Sequence, residues 1–502
     1  MTNNNLDNLT IKETKEKLLK KEFSAVELTR MYLDRIEEYK SLNSYITIMN
    51  ERAIERAEEI DSMIQRGDTN YDMLGVPIAM KDLFCTKGTR TTSGSRALQD
   101  FVPEYESTIS QNLLDSGVIV LGKANMDEFA MGSTNMTSYY GPSWSPYRKK
   151  TNPDMKLVPG GSSGGSASAV SANLCVCATG SDTGGSIRQP SAFCGLVGIK
   201  PTYGLCSRYG MIAFASSLDQ AGPITKSVED AAIMLKCMAS YDEKDSTSEK
   251  VDVPNYTDFL GRSIKGMKIG IAKQYIEGLN SDNMRVFEDV KSWLLDAGCE
   301  FVDIDLKTTS YGLPSYYIIA PAEASSNLSR FDGVRYSHRS KEEFKNIDDL
   351  YYKSRSEGFG EEVKRRILTG TYVLSAGYFD AYYNKALKLQ KMIRDDFRDN
   401  AFSKVDLVLT MTTPSVAFGR EEANNMSPVE MYLNDIFTVN VNIAGLPGMS
   451  IPVGMSSKDC LPMGIQLIGN HFREDNIFSA AHIIEKSARF DELKKSMINI
   501  AL

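Results

Sequence analysis

The sequence predicts an α/β fold in which residues 1–502 form one domain, with residues 1–70 as a helical cover at its N-terminus. Three observations favour this class. Amphipathic runs with apolar side chains near helical spacing fill the first 70 residues. Short apolar runs then alternate with helical ones. No internal repeat or low-complexity tract divides the chain, so a single large domain is the simplest interpretation.

Local residue patterns place the elements in order along the chain. Gly67 and Gly117 each follow an amphipathic run and end a helix there. Ser227 and Asp230 have the spacing of a capping box, and Pro428 suits the first turn of a helix. The predicted helices cover 18–36 with a break near 23–24, 51–66, 106–116, 164–173, 227–238, 282–297, most of 365–398, 429–443 and 474–487. The predicted strands cover 76–80, 118–121, 174–179, 267–272, 301–306, 405–410, 448–453 and 464–468. Residues 180–186 are a predicted loop, and the polar residues 242–257 are the best candidate for a linker.

Composition restricts the function. The net charge is −8 without a long basic run, which argues against direct gripping of nucleic acid by this chain. The eight cysteines include no CxxC pair and are interpreted as small buried side chains. The N-terminal residues are polar, and no apolar run approaches the roughly 20 residues that span a bilayer. We therefore expect a cytoplasmic protein without a membrane segment.

The most informative stretch is residues 158–202, which contains two Gly-Gly-Ser turns. Successive N–H groups of a glycine-rich turn can converge on one oxygen, and such donors favour a developing oxyanion. Ser186 ends the second turn and is the candidate nucleophile. A phosphate-binding loop is the competing interpretation, but no GxxxxGK[ST] or GxGxxG pattern accompanies these turns.

Residues 158–202 contain no histidine, so the group that accepts the proton of Ser186 must come from another part of the chain or be another residue type. One of the three histidines at 338, 471 and 482 could still fold back onto Ser186. Lys81 is the better candidate, since burial after an apolar strand would disfavour its charged form. A surface ion pair with Asp82 is the ordinary alternative. Ser162, in the first turn, could relay the proton because a hydroxyl both donates and accepts.

The segments GVPIAMKDLF and PGGSSGGSASAV…GSDTGGSIRQPSAFCGLVGIKPT resemble the signature of the amidase signature family. The resemblance implies a large mixed β-sheet covered by helices on both faces, with the catalytic residues in 71–240 and the substrate-pocket helices in 241–502. It implies a triad of Ser186 as nucleophile, Ser162 after a cis peptide bond, and Lys81 as base. It also implies an oxyanion hole over Thr183, Gly184, Gly185 and Ser186.

Longer segments, including GKANMDEFAMGST and MYLNDIFTVNVNIAGLPGMSIPVG, resemble the A-type subunits of tRNA-dependent amidotransferases, a branch of that family. This implies a glutaminase whose ammonia converts Glu-tRNA(Gln) to Gln-tRNA(Gln) on a B-type subunit, within a heterotrimer that includes a C-type subunit. ATP and Mg²⁺ are expected on the partner, tRNA is contacted mainly through it, and this chain needs no cofactor or metal.

The same resemblance implies a glutamine pocket, with Arg366 for the α-carboxylate, Asp435 for the α-ammonium, and Tyr317 lining it. Arg365 could exchange roles with Arg366, and residues 135–156 match only loosely. A zwitterion needs one cation and one anion at a fixed separation. Two alternatives stay open: a stand-alone amidase for a small aryl or aliphatic amide, and a scaffolding subunit without catalysis.

Overall fold

The computed structural model describes residues 8–490 and 492–493. Eleven strands in that part of the chain form one β-sheet. They are β1 (Tyr45–Ile48), β2 (Pro77–Lys81), β3 (Ile119–Ala124), β4 (Cys177–Asp182), β5 (Val197–Lys200), β6 (Gln220–Thr225), β7 (Lys268–Ala272), β8 (Glu300–Ile304), β9 (Leu407–Met411), β10 (Gly448–Met455) and β11 (Pro462–Gly469). Their order across the sheet is β1-β3-β2-β4-β6-β5-β10-β11-β9-β7-β8.

The described residues also form sixteen α-helices. They are α1 (Ile11–Leu19), α2 (Ala25–Glu38), α3 (Asn50–Gln65), α4 (Thr108–Asp115), α5 (Gly164–Ser171), α6 (Arg188–Phe193), α7 (Val228–Met238), α8 (Ser281–Asp296), α9 (Gly312–Asn327), α10 (Ile347–Gly358), α11 (Glu361–Leu374), α12 (Lys385–Asp396), α13 (Arg420–Asn425), α14 (Pro428–Tyr432), α15 (Val439–Ile443) and α16 (Glu474–Ala488).

The sheet is mixed. Two parallel groups, β3-β2-β4 and β9-β7-β8, flank the antiparallel strands β6, β5, β10 and β11. Every residue of β2 to β6 and of β9 to β11 is buried, which means that both faces of the sheet are covered there. Only the edge strands β1 and β8 expose side chains along most of their length. The predicted α/β class with a large mixed sheet is confirmed.

Most predicted elements are present, with shifted ends. The first amphipathic run is divided near residues 23–24 into α1 and α2, as predicted. The predicted strand 174–179 is displaced, because β4 runs on to Asp182 and takes up part of the predicted loop 180–186. The predicted linker at 242–257 joins α7 to β7 and ends in a short 3₁₀ turn. Sequence reasoning did not find β1, β5, β6, α6, α9, α10 or α13.

The start of α7 is capped by Ser227 without the reciprocal bond of a capping box. Ser227 caps the helix by accepting the N–H of Asp230, as its position predicts. The reciprocal half of the predicted capping box is missing, because the Asp230 carboxylate accepts the N–H of Ile11 (2.9 Å) and not the backbone N–H of Ser227. Asp230 thereby ties α1 to the core.

A buried ion pair fixes the end of β4 to its surroundings. The Arg188 guanidinium donates two hydrogen bonds to the Asp182 carboxylate, both 2.9 Å long, and neither side chain is exposed. Its remaining N–H groups donate to Gln466 Oε1, Asn442 Oδ1 and the Thr438 carbonyl. This one cation therefore connects β4, α6, β11 and α15.

Arg188→Met should destabilise the chain by about 3–5 kcal/mol, because it leaves the Asp182 charge buried without its partner. The measurement is the urea midpoint of unfolding, followed by circular dichroism. Arg398→Met is the matched control, since Arg398 also forms ion pairs, with Asp395 and Asp399, but on the surface. Equal midpoints for the two variants would contradict the structural role of Arg188.

Candidate active site

Lys81 is the last residue of β2, at the edge of the sheet where the parallel strands β2 and β4 both end. This is the edge at which α/β sheets place ligands. The side chain is fully buried. Its Nζ lies 2.9 Å from Ser162 Oγ, 2.8 Å from Ser163 Oγ and 2.8 Å from Ser181 Oγ. The ordinary alternative, an ion pair with Asp82, is not formed; Asp82 lies 3.9 Å from Lys123.

Burial lowers the pKa of Lys81 to about 7, because an ammonium group deprived of water is disfavoured. The negative charges of Asp127, Asp182 and Asp219 act in the opposite direction without overcoming that effect. Near neutral pH a large fraction of Lys81 is therefore the free amine, which can accept a proton.

The first Gly-Gly-Ser turn delivers two of the three serines. The Gly161–Ser162 peptide bond is cis, as the resemblance implies. A Cβ on Gly160 would lie 2.5 Å from Gln189 Oε1, and one on Gly161 would lie 2.1 Å from Asp127 Oδ2. Only glycine therefore fits these two positions, and α5 begins directly after the serines.

The second turn, residues 183–186, holds Ser186, whose 8% exposed surface makes it accessible from outside. The backbone N–H groups of Thr183, Gly184 and Ser186 donate to no group among the described residues, which is rare for buried amides. The N–H of Gly185 is engaged, since it donates to Asp182 Oδ1 (2.8 Å). The oxyanion-hole prediction therefore depends on the other three amides.

Two side chains hold this turn in place. Thr183 Oγ1 donates to the buried carboxylate of Asp219 (2.6 Å), which also accepts the N–H of Phe214 (2.9 Å). Thr438 Oγ1 donates to the carbonyl of Gly184 (2.6 Å). The turn is thus anchored on both sides, and its free amides keep fixed directions.

Arg366 of α11 lies in an aromatic pocket. Its guanidinium carbon is 5.3 Å from the ring of Phe214, 5.6 Å from that of Tyr317 and 6.0 Å from that of Tyr432. Nε donates to Glu362 (2.8 Å), whereas Nη1 and Nη2 meet no acceptor among the residues described. Arg365 points outward, with 54% of its side chain exposed against 6% for Arg366. The structure therefore assigns the pocket to Arg366 and not to its neighbour.

Asp435 is buried beside this pocket. Its Oδ2 accepts the hydroxyl of Ser133 (2.7 Å), and within the described ranges Oδ1 accepts no hydrogen bond. Burial raises the pKa of Asp435 to about 7, although Ser133 and Arg366 both act to lower it. The carboxylate has no ion-pair partner of its own in the described structure.

Continuous contacts connect this pocket to the second turn. A Cβ on Gly184 would lie 2.8 Å from the ring of Tyr316, which packs edge-on against half-buried Tyr317 at 4.9 Å. Thr438 Oγ1 bonds both to Gly184 and to the carbonyl of Asp435 (3.1 Å). The second turn and the pocket around Arg366 and Asp435 are therefore in continuous contact.

Sequence reasoning missed several of these groups. Ser163 and Ser181 stand in the Gly/Ser stretch and could have been found from their position beside the proposed triad. Asp219 and Ser133 carry no pattern that marks them. In the loosely matching segment 135–156, Asn135 Oδ1 accepts the N–H of Gly165 at the start of α5 (3.0 Å).

Other chemistries find little support in the part of the chain that the structure describes. His338 bonds to Glu357 and His471 to the Ala444 carbonyl, and no described histidine contacts Ser186. No group of three or more His, Cys, Asp or Glu side chains there is arranged to hold a metal. None of the described helices is both long and apolar enough to cross a bilayer. All eight cysteines are free thiols.

Comparison with known proteins gives consistent results. The family model described as Amidase matches residues 27–478. The A-type subunit of glutamyl-tRNA(Gln) amidotransferase from Azorhizobium caulinodans is 56% identical over 484 residues, which cover 96% of this chain and 97% of that protein. The protein of the same name from Rhizobium meliloti (strain 1021) is 55% identical over 486 residues, covering 96% and 98%.

Two solved structures extend the comparison to three dimensions. The crystal structure of the corresponding A-type subunit of glutamyl-tRNA(Gln) amidotransferase from Thermotoga maritima superimposes with a TM-score of 0.77 at 38% identity, covering 96% of this chain and 95% of that one. The peptide amidase of Stenotrophomonas maltophilia gives 0.79 at 27% identity, covering 96% and 97%. Since the family model and these relatives match nearly the whole chain, the protein belongs to the amidase signature family.

Proposed function

We propose that the chain is a glutaminase that releases ammonia from the side-chain amide of glutamine. The observation that carries the proposal is the pair Arg366 and Asp435, a cation and an anion with unpartnered atoms beside the nucleophile turn. A free amino acid presents one carboxylate and one ammonium group, which these two side chains complement. A purely apolar amide would leave the two free Nη groups of Arg366 and the Oδ1 atom of Asp435 buried without hydrogen-bond partners.

The proposed chemistry uses three side chains, of which Lys81 and Ser162 are in hydrogen-bond contact. Ser186 Oγ attacks the amide carbon of glutamine while its proton passes through Ser162 to the free amine of Lys81. The amides of Thr183, Gly184 and Ser186 stabilise the oxyanion that forms. The Lys81 ammonium then returns a proton through Ser162 to the departing ammonia. Water hydrolyses the γ-glutamyl ester on Ser186 by the same route in reverse.

The wider role is inferred from the relatives named above. The ammonia would serve the amidation of Glu-tRNA(Gln) on a B-type partner subunit, in a cytoplasmic heterotrimer completed by a C-type subunit. ATP and Mg²⁺ would bind to the partner, and tRNA would contact it for the most part, since this chain has a net charge of −8. Similarity to a peptide amidase at 27% identity keeps a stand-alone amidase as the second candidate.

Ser186→Ala should reduce ammonia release from glutamine by about 10³-fold or more, since the attacking oxygen is lost. The measurement is ammonia production by the full chain, together with any subunits that co-purify with it. Ser329→Ala, at an exposed serine, is the control and should retain wild-type activity. Full activity in the Ser186 variant would refute the mechanism.

Arg366→Ala should raise the KM for glutamine about tenfold to a hundredfold with a much smaller effect on kcat, because the loss concerns binding of the carboxylate. Arg365→Ala is the matched control on the same helix, with an outward side chain and the same Glu362 partner. Steady-state kinetics separate the two constants. If both variants left the KM for glutamine unchanged while a simple aryl amide was hydrolysed well, the stand-alone amidase would be the better assignment.

Activity should be lost as the pH falls through about 7. Below that value Lys81, whose pKa burial lowers to about 7, becomes an ammonium and can no longer accept the proton, so kcat falls. Protonation of Asp435, whose pKa burial raises to about 7, removes the anion that binds the substrate ammonium, so KM rises over the same range. Initial rates across the pH range test this, and a kcat that stays constant down to about pH 5 would contradict it.

A further inference from the structure

Lys81 Nζ contacts three serine hydroxyls, although the proposed relay uses only Ser162. A neutral lysine carries two N–H donors and one lone pair, so it can donate two hydrogen bonds and accept one. Three contacts therefore suit the free amine only when two serines accept from it and the third donates to it. Which serine faces the lone pair decides whether the base can act.

Ser163 is already an acceptor in this arrangement. Its hydroxyl donates to the carbonyl of Ser181 (3.2 Å), so its own proton is engaged elsewhere. The same oxygen accepts the N–H of Ser181 (3.3 Å) and lies 2.8 Å from Lys81 Nζ. Ser163 therefore takes one N–H of the amine.

Ser162 and Ser181 differ in where they lie. The N–H of Ser163 donates to the carbonyl of Ser186 (3.3 Å), which places the first turn directly against the nucleophile turn. Ser181 lies instead within β4, the strand that pairs with β2 beneath Lys81. Lys81 is also attached to β4 through its main chain, because its backbone N–H donates to Thr179 Oγ1 (2.8 Å).

We propose that Ser163 and Ser181 are positioning residues that accept both N–H groups of neutral Lys81 and so reserve its lone pair for Ser162. The inference rests on the proposed function, since it concerns the same relay. When Ser186 attacks, its O–H bond breaks and the proton passes to Ser162 Oγ. The original proton of Ser162 forms a new N–H bond on Lys81, which becomes an ammonium donating to all three serines.

Removal of the Ser181 hydroxyl should therefore have two effects. The ammonium form loses one of its three acceptors in a buried site, so the acid limb of the pH–rate profile should move to lower pH. The neutral amine can now donate to Ser162, and its lone pair then no longer accepts the Ser162 proton. At pH values above the acid limb, kcat should therefore fall about tenfold or more. The KM for glutamine should not change, because Arg366 and Asp435 are untouched.

The experiment compares Ser181→Ala, Ser181→Thr and Ser171→Ala in the full chain with its co-purifying subunits. Ser181→Thr keeps the hydroxyl and should restore both kcat and the acid limb. Ser171 is the matched control: it is 2% exposed like Ser181, and among the described residues its hydroxyl bonds to the Cys194 carbonyl alone. Its removal should leave the profile unchanged. If Ser181→Ala does not fold, Ser163→Ala is the second variant. It should show the same two effects.

The rate at which a fluorophosphonate labels Ser186, measured against pH, gives a readout independent of substrate. If glutamine is not hydrolysed by the wild type but Ser181→Ala still shifts the labelling profile, the positioning role stands and the proposed substrate fails. Wild-type kcat and an unshifted acid limb in correctly folded Ser181→Ala and Ser163→Ala would overturn the positioning role. A rise in KM alone would overturn it too, because it would place Ser181 in substrate binding.

Discussion

The burial of Lys81 without an ion-pair partner is the constraint on which the site depends. The side chain is fully buried, and its three nearest polar groups are neutral hydroxyls. A carboxylate in direct contact would stabilise the ammonium and keep the lysine protonated. Hydroxyls can instead accept from either form and donate to the free amine, so they satisfy the nitrogen in both protonation states.

Three buried carboxylates surround this site, yet each is bound by donors of its own. Asp127 accepts the N–H groups of residues 134, 135 and 137. Asp182 is paired with Arg188, and Asp219 accepts the Thr183 hydroxyl. Because these donors already occupy the carboxylates, none moves to pair with Lys81. The same carboxylates shape the two turns, so the structure that orients Ser186 also affects the basicity of Lys81.

The fold class and the contact between Lys81 and Ser162 could be predicted, because buried strands follow local residue patterns and the long glycine-rich segments carry the family resemblance. The exchange between Arg365 and Arg366 could not be decided from sequence, since helical spacing leaves either residue free to face the pocket. The engagement of the Gly185 amide by Asp182 depends on a turn conformation with φ of +141°, which composition does not reveal. Short strands such as β5 lack an alternating pattern because both of their faces are buried.

Burial shifts the pKa values of two titrating groups of the candidate site in opposite directions, since it disfavours whichever form is charged. It lowers the pKa of Lys81 and raises that of Asp435, and both arrive at about 7. A substrate ammonium beside Asp435 would lower the pKa of that carboxyl again, so the ligand stabilises the charged form to which it binds. A zwitterion brings no net charge, because its carboxylate on Arg366 offsets its ammonium. Glutamine bound in this way would leave the net charge around Lys81 unchanged, so in the proposed mechanism the lysine would stay available as the base.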